Sequence, residues 1–282
     1  MLVCILGSGT MGSGIASLFC ICPEVSRVII WGRSQAALDN SYIRIKKELS
    51  RYAKGNAISA EALESMCGKI SFKTDLSELT NSDLYIEAIS EDLDIKIDLI
   101  SRLKVYIPDK AIVATNTSSL SVTALAMQVN VPSNFIGIHF FNPTSVMKLV
   151  EVIKGLVTSD ETLRKAISLV EMLDKKPIVV KESAGFIVNR MLIPMINEAI
   201  AILAEGVASK QDIDNAMKYG ANHPIGPLAL SDLIGNDVCL SIMESLFKET
   251  GDPKYRAHPL LRQYVRAGYL GRKTKVGFYE YQ

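Results

Sequence analysis

The amino-acid sequence predicts an α/β protein, with a doubly wound, mostly parallel sheet followed by a smaller all-helical domain. Three observations carry that prediction. Short apolar runs alternate with segments of helical periodicity through the first part of the chain. A glycine-rich turn joins the first apolar run to the first helical segment. Near Ser183 the strand signals stop and the remainder has helical spacing. The expected domains are residues 1–183 and residues 184–282.

The elements follow in order. Val3 to Leu6 reads as a buried parallel strand, and Ile15 to Cys20 as the opening of a helix. Arg27 to Trp31 is a second strand at βαβ distance. Ser34 is placed to cap a helix over Gln35 to Tyr52, which Lys54-Gly55-Asn56 breaks. Ser59 opens another helix, with Leu63 and Met66 on one face. Lys69 to Phe72 and Leu84 to Glu87 are short strands. Leu93, Ile97, Ile100 and Leu103 repeat at helical spacing, and Pro108-Asp109 ends that element. Ala111 to Ala114, Phe135 to Phe140, Leu149 to Ile153 and Ile178 to Val180 complete the strands. Such alternation argues a parallel sheet covered on both faces. Phe186 to Leu203 is then almost continuously apolar, with Pro194 inside it, and further helices are expected at Lys210 to Tyr219 and Leu228 to Phe247. The long apolar segment is richer than one exposed face requires, so a subunit interface is expected there, against a helix buried in its own domain.

Composition narrows the function. Apolar residues make up 48% of the 282, enough for a large core. The formal net charge is +1, from 31 basic and 30 acidic residues, which lacks the basic excess of a nucleic-acid binder. No apolar run reaches membrane-spanning length. The first residues enter strand and turn directly, unlike a signal peptide. Five scattered cysteines without a C-x-x-C pair suit buried thiols in a reducing compartment, and the cytoplasm is the expected location.

Gly7, Gly9 and Gly12 stand in G-x-G-x-x-G spacing. With Thr10 and Met11 they form the candidate pyrophosphate site of a dinucleotide. The pattern is weak alone, but here it follows a strand and opens a helix. Of the three histidines, His223 and His258 each precede a proline and read as structural. His139 ends a predicted strand, where open α/β sheets bind ligands. Glu151 lies in the next strand-like run, and a strand, a turn and a return strand can bring the two side chains together. A carboxylate fixes the imidazole tautomer and stabilises the imidazolium, as a general acid/base requires; a buried structural histidine is the alternative. Asn116-Thr117-Ser118-Ser119 follows the strand at Ala111 to Ala114 and offers donors to a substrate oxygen, or simply a helix cap.

The chain resembles the 3-hydroxyacyl-CoA dehydrogenase family, in its single-function bacterial form. The likeness rests on the glycine turn through Ala16, on Asn116-Thr117-Ser118-Ser119-Leu120, and on His139-Phe140-Phe141-Asn142-Pro143. It extends to Met147-Lys148-Leu149-Val150-Glu151-Val152, Gly185-Phe186-Ile187-Val188-Asn189-Arg190, His223-Pro224-Ile225-Gly226-Pro227 and Gly268 to Thr274. It implies a Rossmann-type domain and hydride transfer between a nicotinamide cofactor and an acyl-CoA. The expected reaction interconverts 3-oxoacyl-CoA and (S)-3-hydroxyacyl-CoA, with acetoacetyl-CoA and 3-hydroxybutyryl-CoA as the expected pair. The resemblance implies His139 as acid/base, Glu151 as its partner, Ser118 on the reacting oxygen, Asn189 holding substrate and Asn142 in support. It places Glu91 and Lys96 near the nicotinamide ribose and carboxamide, Asn116 beside the ring, and Lys54 and Arg51 near the CoA phosphates. A homodimer through the helical domain is expected from the apolar run Phe186 to Leu203.

Two departures stand out. The acidic residue that usually follows the second strand is absent, and Gly32-Arg33-Ser34 stands there. Glycine removes the acceptor for the ribose hydroxyls of NAD(H) and the repulsion of a 2′-phosphate, while Arg33 offers a guanidinium and Ser34 a hydroxyl. NADP(H) is therefore expected to be preferred, with NAD(H) still possible. Near the end, Lys273-Thr274-Lys275-Val276-Gly277-Phe278-Tyr279 replaces the commoner Lys-Thr-Gly-Arg/Lys-Gly-Phe-Tyr and is expected to alter a surface turn. Two other readings stay open: a dehydrogenase of a free hydroxy acid, and a non-catalytic dinucleotide-binding protein.

Overall fold

A single eight-stranded sheet, in the order β3-β2-β1-β4-β5-β6-β7-β8, organises the first part of the computed structural model, which describes residues 1–282. Its strands are β1 (Leu2–Leu6), β2 (Arg27–Trp31), β3 (Ile70–Lys73), β4 (Leu84–Glu87), β5 (Ile112–Thr115), β6 (Phe135–Phe140), β7 (Leu149–Lys154) and β8 (Lys176–Lys181). The helices among them are α1 (Thr10–Ile21), α2 (Gln35–Gly55), α3 (Ala60–Gly68), α4 (Leu93–Leu103), α5 (Val122–Ala126) and α6 (Asp160–Met172). Every neighbouring pair is parallel except β6 with β7. From β1 the order runs outward through β2 on one side and β4 on the other. The strand order reverses there, so the carboxyl ends of β1 and β4 open a crevice for a ligand.

Local chemistry explains the boundaries. Ser34 caps α2 by accepting from Ala37 N at 3.3 Å, and Ser59 caps α3 by accepting from Ala62 N at 3.2 Å. α2 buries Leu38, Ser41, Ile45 and Leu49, one helical face, and exposes its basic residues. Ser13 of α1 and Ser41 of α2 share a buried hydrogen bond of 2.8 Å where the two helices cross. Val3, Ile5, Phe19, Ile30 and Ile45 lie in one core with no exposed surface.

The chain divides into two compact units, Met1–Glu182 and Ser183–Gln282. The second is helical: α7 (Val188–Ala204), α8 (Lys210–Gly220), α9 (Pro227–Ile234), α10 (Asn236–Thr250) and α11 (Pro259–Arg266). Ile196, Ile200, Leu228, Met243 and Leu246 form its core. Buried Asp232 fastens the chain's end, accepting from Phe278 N and Tyr279 N at 2.9 Å each and from the Tyr281 hydroxyl at 3.0 Å.

The helical pattern read from the sequence needs correction. The segment expected over Leu228 to Phe247 is two helices, because Gly235 takes φ +110° and the backbone cannot run through it as a helix. α5, α6 and α11 also add to the elements read from periodicity. Lys275, where the commoner pattern has glycine, sits at φ +64° in the tight turn after Arg272–Thr274. Cys4, Cys20, Cys22 and Cys239 are buried free thiols, and burial pushes those of Cys20 and Cys239 up to about 12. No helix is long and apolar enough to cross a membrane.

Candidate active site

The glycine turn is built from three glycines with different constraints. Gly7 has φ +131°, and a Cβ there would lie 2.5 Å from the Ala88 carbonyl oxygen. A Cβ at Gly12 would lie 1.9 Å from the Gly7 oxygen. Backbone crowding therefore demands both. Gly9 is different, because a Cβ there would meet nothing within 4 Å. It is the N-cap of α1 and makes no side-chain cap bond. Open space above uncapped first-turn N–H groups is what a pyrophosphate requires, so the residues present fit a dinucleotide.

His139 and Glu151 face each other directly across the antiparallel β6–β7 pair. His139 Nδ1 lies 2.8 Å from Glu151 Oε2, with the carboxylate 1% exposed and the histidine 5%. An ionised carboxylate only accepts, so Nδ1 carries the proton and donates it. That leaves Nε2 to accept in the neutral ring and to donate in the imidazolium. Nε2 lies 3.2 Å from the Ser118 hydroxyl, and the Phe141 ring packs against the imidazole with centroids 4.5 Å apart.

Ser118 sits in the loop after β5, and Glu91 holds that loop. One Glu91 oxygen accepts from Thr117 Oγ1 at 2.7 Å, Ser118 N at 2.6 Å and Ser119 N at 3.1 Å. The other lies 3.4 Å from Lys96 Nζ. Lys96 has no exposed surface and also donates to Glu87 at 2.6 Å. Glu87 ends β4, is equally buried, and accepts in addition from Thr115 Oγ1 at 2.6 Å and Ile89 N at 2.8 Å. Glu87, Lys96 and Glu91 thus form a continuous charged chain that ends at the backbone of Ser118.

The remaining candidates are distributed as follows. Asn116 is buried, and its Oδ1 accepts from Phe140 N at 2.8 Å, bracing the strand that carries His139. Asn142 is exposed and precedes Pro143, which is joined by a cis bond. Buried Gly32 lies at the end of β2, with exposed Arg33 and Ser34 after it. Arg51 is exposed and paired with Glu48 at 2.8 Å, and Lys54 is exposed. Asn189 stands in the first turn of α7 in the helical unit. His258 caps α11, accepting from Leu260 N through Nδ1 at 3.2 Å.

The sequence reading missed Glu87 and Thr115. Their signal was a carboxylate closing the apolar strand Leu84-Tyr85-Ile86 and a lysine on the inward face of a helix, in line with Leu99, Ile100 and Leu103. Periodicity alone assigns that face to the core and does not pair its lysine with a strand.

Fold and glycine turn together define a dinucleotide-binding protein of the Rossmann class. Comparison with known proteins then gives the family. Residues 2–183 match "3-hydroxyacyl-CoA dehydrogenase, NAD binding domain", and residues 185–281 match "3-hydroxyacyl-CoA dehydrogenase, C-terminal domain". The chain belongs to the 3-hydroxyacyl-CoA dehydrogenase family. It is 50% identical over 282 residues to the 3-hydroxybutyryl-CoA dehydrogenase of Clostridioides difficile, covering 100% of this chain and 99% of that one. It is 36% identical to the human mitochondrial hydroxyacyl-coenzyme A dehydrogenase, covering 99% of this chain and 91% of that one. Among solved structures, the (S)-3-hydroxybutyryl-CoA dehydrogenase of Ralstonia eutropha superposes with a TM-score of 0.94 at 44% identity, covering 100% of this chain and 99% of that one.

The buried charges make a stability prediction. Lys96→Met strands Glu87 without its cation, and breaking a buried pair costs about 3–5 kcal/mol. Denaturant unfolding of the unliganded protein should show a loss of that size, and the double variant Glu87→Gln/Lys96→Met should recover much of it. A single variant as stable as the unmodified protein would show that the pair does not hold β4 to α4.

Proposed function

We propose that the protein interconverts acetoacetyl-CoA and (S)-3-hydroxybutyryl-CoA, with NADP(H) preferred over NAD(H). The observation that carries this reading is the buried His139–Glu151 pair at 2.8 Å, with the Ser118 hydroxyl 3.2 Å from the other imidazole nitrogen. When bound, the reduced nicotinamide supplies a hydride to C3 of the 3-oxoacyl group. Protonated His139 donates from Nε2 to the substrate oxygen, and Glu151 stabilises the imidazolium before that transfer. Ser118 donates its hydroxyl proton in a hydrogen bond to the same oxygen, a dipole fixed in advance by the grip of Glu91 on its loop. In oxidation, neutral His139 takes the hydroxyl proton at Nε2. Lys96, wholly buried, acts through Glu91 rather than on the ribose itself. Asn116 and Glu91 face the cofactor, Asn189 and Asn142 hold the substrate, and Lys54 with Arg51 takes the CoA phosphates.

The names of the relatives support the substrate pair, and a free hydroxy acid has no thioester or CoA phosphates for those residues to hold. Activity with acetoacetyl-CoA and none with acetoacetate is expected in a nicotinamide-absorbance assay. His139→Gln should lower turnover about 10²–10⁴-fold, the usual contribution of general acid–base catalysis, while cofactor affinity stays nearly unchanged. Glu151→Gln should act in the same direction. Turnover of the unmodified size in the His139 variant would remove the acid/base assignment.

Cofactor preference rests on Gly32-Arg33-Ser34. The Ser34 oxygen accepts the α2 cap bond, and its proton is left to donate to a phosphate. Hydrogen bonds to a charged group contribute about 1.5–3 kcal/mol. Arg33→Ala should therefore lower kcat/KM for NADPH by about one to two decades and NADH much less. It is a cleaner test than Gly32→Asp, because a Cβ at Gly32 would lie 2.8 Å from buried Leu38 and 2.9 Å from Ser8 Oγ, and both must give way. Equal or better use of NADH by the unmodified protein would overturn the preference.

The same reading includes a homodimer formed by the helical unit. Met191 of α7 is 72% exposed, Ile187 just before it 42%, and Tyr219 at the end of α8 81%. Apolar surface of that kind suits an obligate interface. Sedimentation at micromolar concentration should give twice 30.9 kDa; the monomer mass would count against it.

A further inference from the structure

Arg44 lies outside every role assigned so far. It is exposed on α2, one turn beyond Ser41, whose hydroxyl bonds Ser13 of α1. Its Nη1 donates to the Ser8 carbonyl oxygen at 3.2 Å, inside the glycine turn. Ser13 Oγ donates to the same oxygen at 3.4 Å, so Ser8 is held from two helices. Ser8 also reaches the other side of the crevice, because its Oγ lies 2.9 Å from where a Gly32 Cβ would stand. Ser8 therefore touches both Arg44 and the position from which the usual carboxylate is missing.

The electrostatics make this placement informative. Arg51, on the same helix, is neutralised by Glu48 at 2.8 Å. Arg44 bonds a neutral carbonyl instead, so its charge is not compensated by that bond. A guanidinium has five N–H donors, and Ser8 accepts one of those of Arg44. A carboxylate at position 32 would stand against Ser8, the residue that Arg44 bonds, and would place a negative charge there. With glycine there, no carboxylate stands beside Ser8, the residue that Arg44 bonds. Arg33, exposed, follows Gly32 directly in the chain.

We propose that Arg44 is a specificity residue for the adenosine 2′-phosphate, forming with Arg33 a two-guanidinium clamp that closes over Ser8 and Gly32. This rests on the NADP(H) reading above and extends it to a residue from a different element. Arg33 comes from the loop after β2, whereas Arg44 is fixed on α2 by the Ser13–Ser41 contact and by its bond to the glycine turn. The clamp is therefore partly assembled before ligand arrives, which reduces the ordering cost of binding.

Calorimetric titration of the unliganded protein with three probes tests it: adenosine 5′-monophosphate, adenosine 2′,5′-bisphosphate and adenosine 3′,5′-bisphosphate. The last carries the phosphate pattern of CoA. Unmodified protein should bind the 2′,5′-bisphosphate more tightly than the monophosphate. Arg44→Gln should reduce that advantage about tenfold, the scale of one charge-assisted hydrogen bond at an exposed site, and leave the monophosphate unchanged. Unchanged monophosphate binding also reports that the variant is folded. If the unmodified protein does not distinguish the monophosphate from the 2′,5′-bisphosphate, the NADP(H) reading itself falls. If Arg33→Ala loses the advantage and Arg44→Gln keeps it, that reading stands and the role of Arg44 falls. Equal weakening of all three probes would reduce Arg44 to a brace of the glycine turn. A loss confined to the 3′,5′-bisphosphate would assign it to CoA instead.

Discussion

A buried ion pair between a strand end and a helix sets the geometry of this molecule. Glu87 and Lys96 meet at 2.6 Å with no exposed surface on either side chain. Burying such charges is expensive, and the pair is tolerable only because other polar groups complete it. Thr115 and Ile89 donate to Glu87, and Glu91 lies 3.4 Å from Lys96. β4, β5, α4 and the loop after β5 are thereby locked at one point. The position of Ser118 follows from that lock, through the bonds of Glu91 to its loop. An active-site hydroxyl on a short polar loop would otherwise be free to wander, and positional freedom is what catalysis cannot tolerate.

The second constraint is the change of strand direction. Parallel strands in this sheet bring their carboxyl ends to one edge, which assembles residues from distant parts of the chain. The antiparallel β6–β7 pair does something different, placing two side chains face to face across the ladder. That register brings His139 Nδ1 to 2.8 Å from Glu151 Oε2. Asn116 then bonds the backbone of Phe140 at 2.8 Å, fixing the end of the histidine strand to the loop that carries Ser118. The serine, the imidazole and the carboxylate are thus positioned by two separate sets of backbone contacts.

The adenosine end of the crevice is more open. Its glycines divide into two that backbone crowding requires and one, Gly9, that faces open space. Its cations lie on exposed elements, where solvent screens them. In the proposed reading, discrimination there depends on the balance of charge around Gly32 rather than on burial, so residues from both sides of the turn matter. The His139–Glu151 pair is buried by comparison.

Much of this was legible in the sequence because it is local. The glycine spacing after a strand, the limits of Arg27–Trp31, Leu84–Glu87 and Phe135–Phe140, and the serine caps of α2 and α3 all express neighbouring residues and backbone sterics. His139 and Glu151 could be singled out because a single turn separates their strands. The break between α9 and α10 was missed, since glycine within an apolar helical pattern does not announce a φ of +110°. The resemblance places Lys96 near the nicotinamide ribose and carboxamide, but says nothing of its burial or of its bond to Glu87. Its environment depends on Glu87 and Thr115, which become neighbours only when β4 and β5 pair and α4 folds over them. The same holds for Arg44, whose nearness to Ser8 needs α2 docked on α1. The sequence by itself determined the elements, the glycine turn and the identity of the acid/base candidates, because these depend on short-range pattern. Tertiary structure alone decided which charges are buried and what they hold, because burial and partnership are properties of packed elements rather than of the residues that compose them.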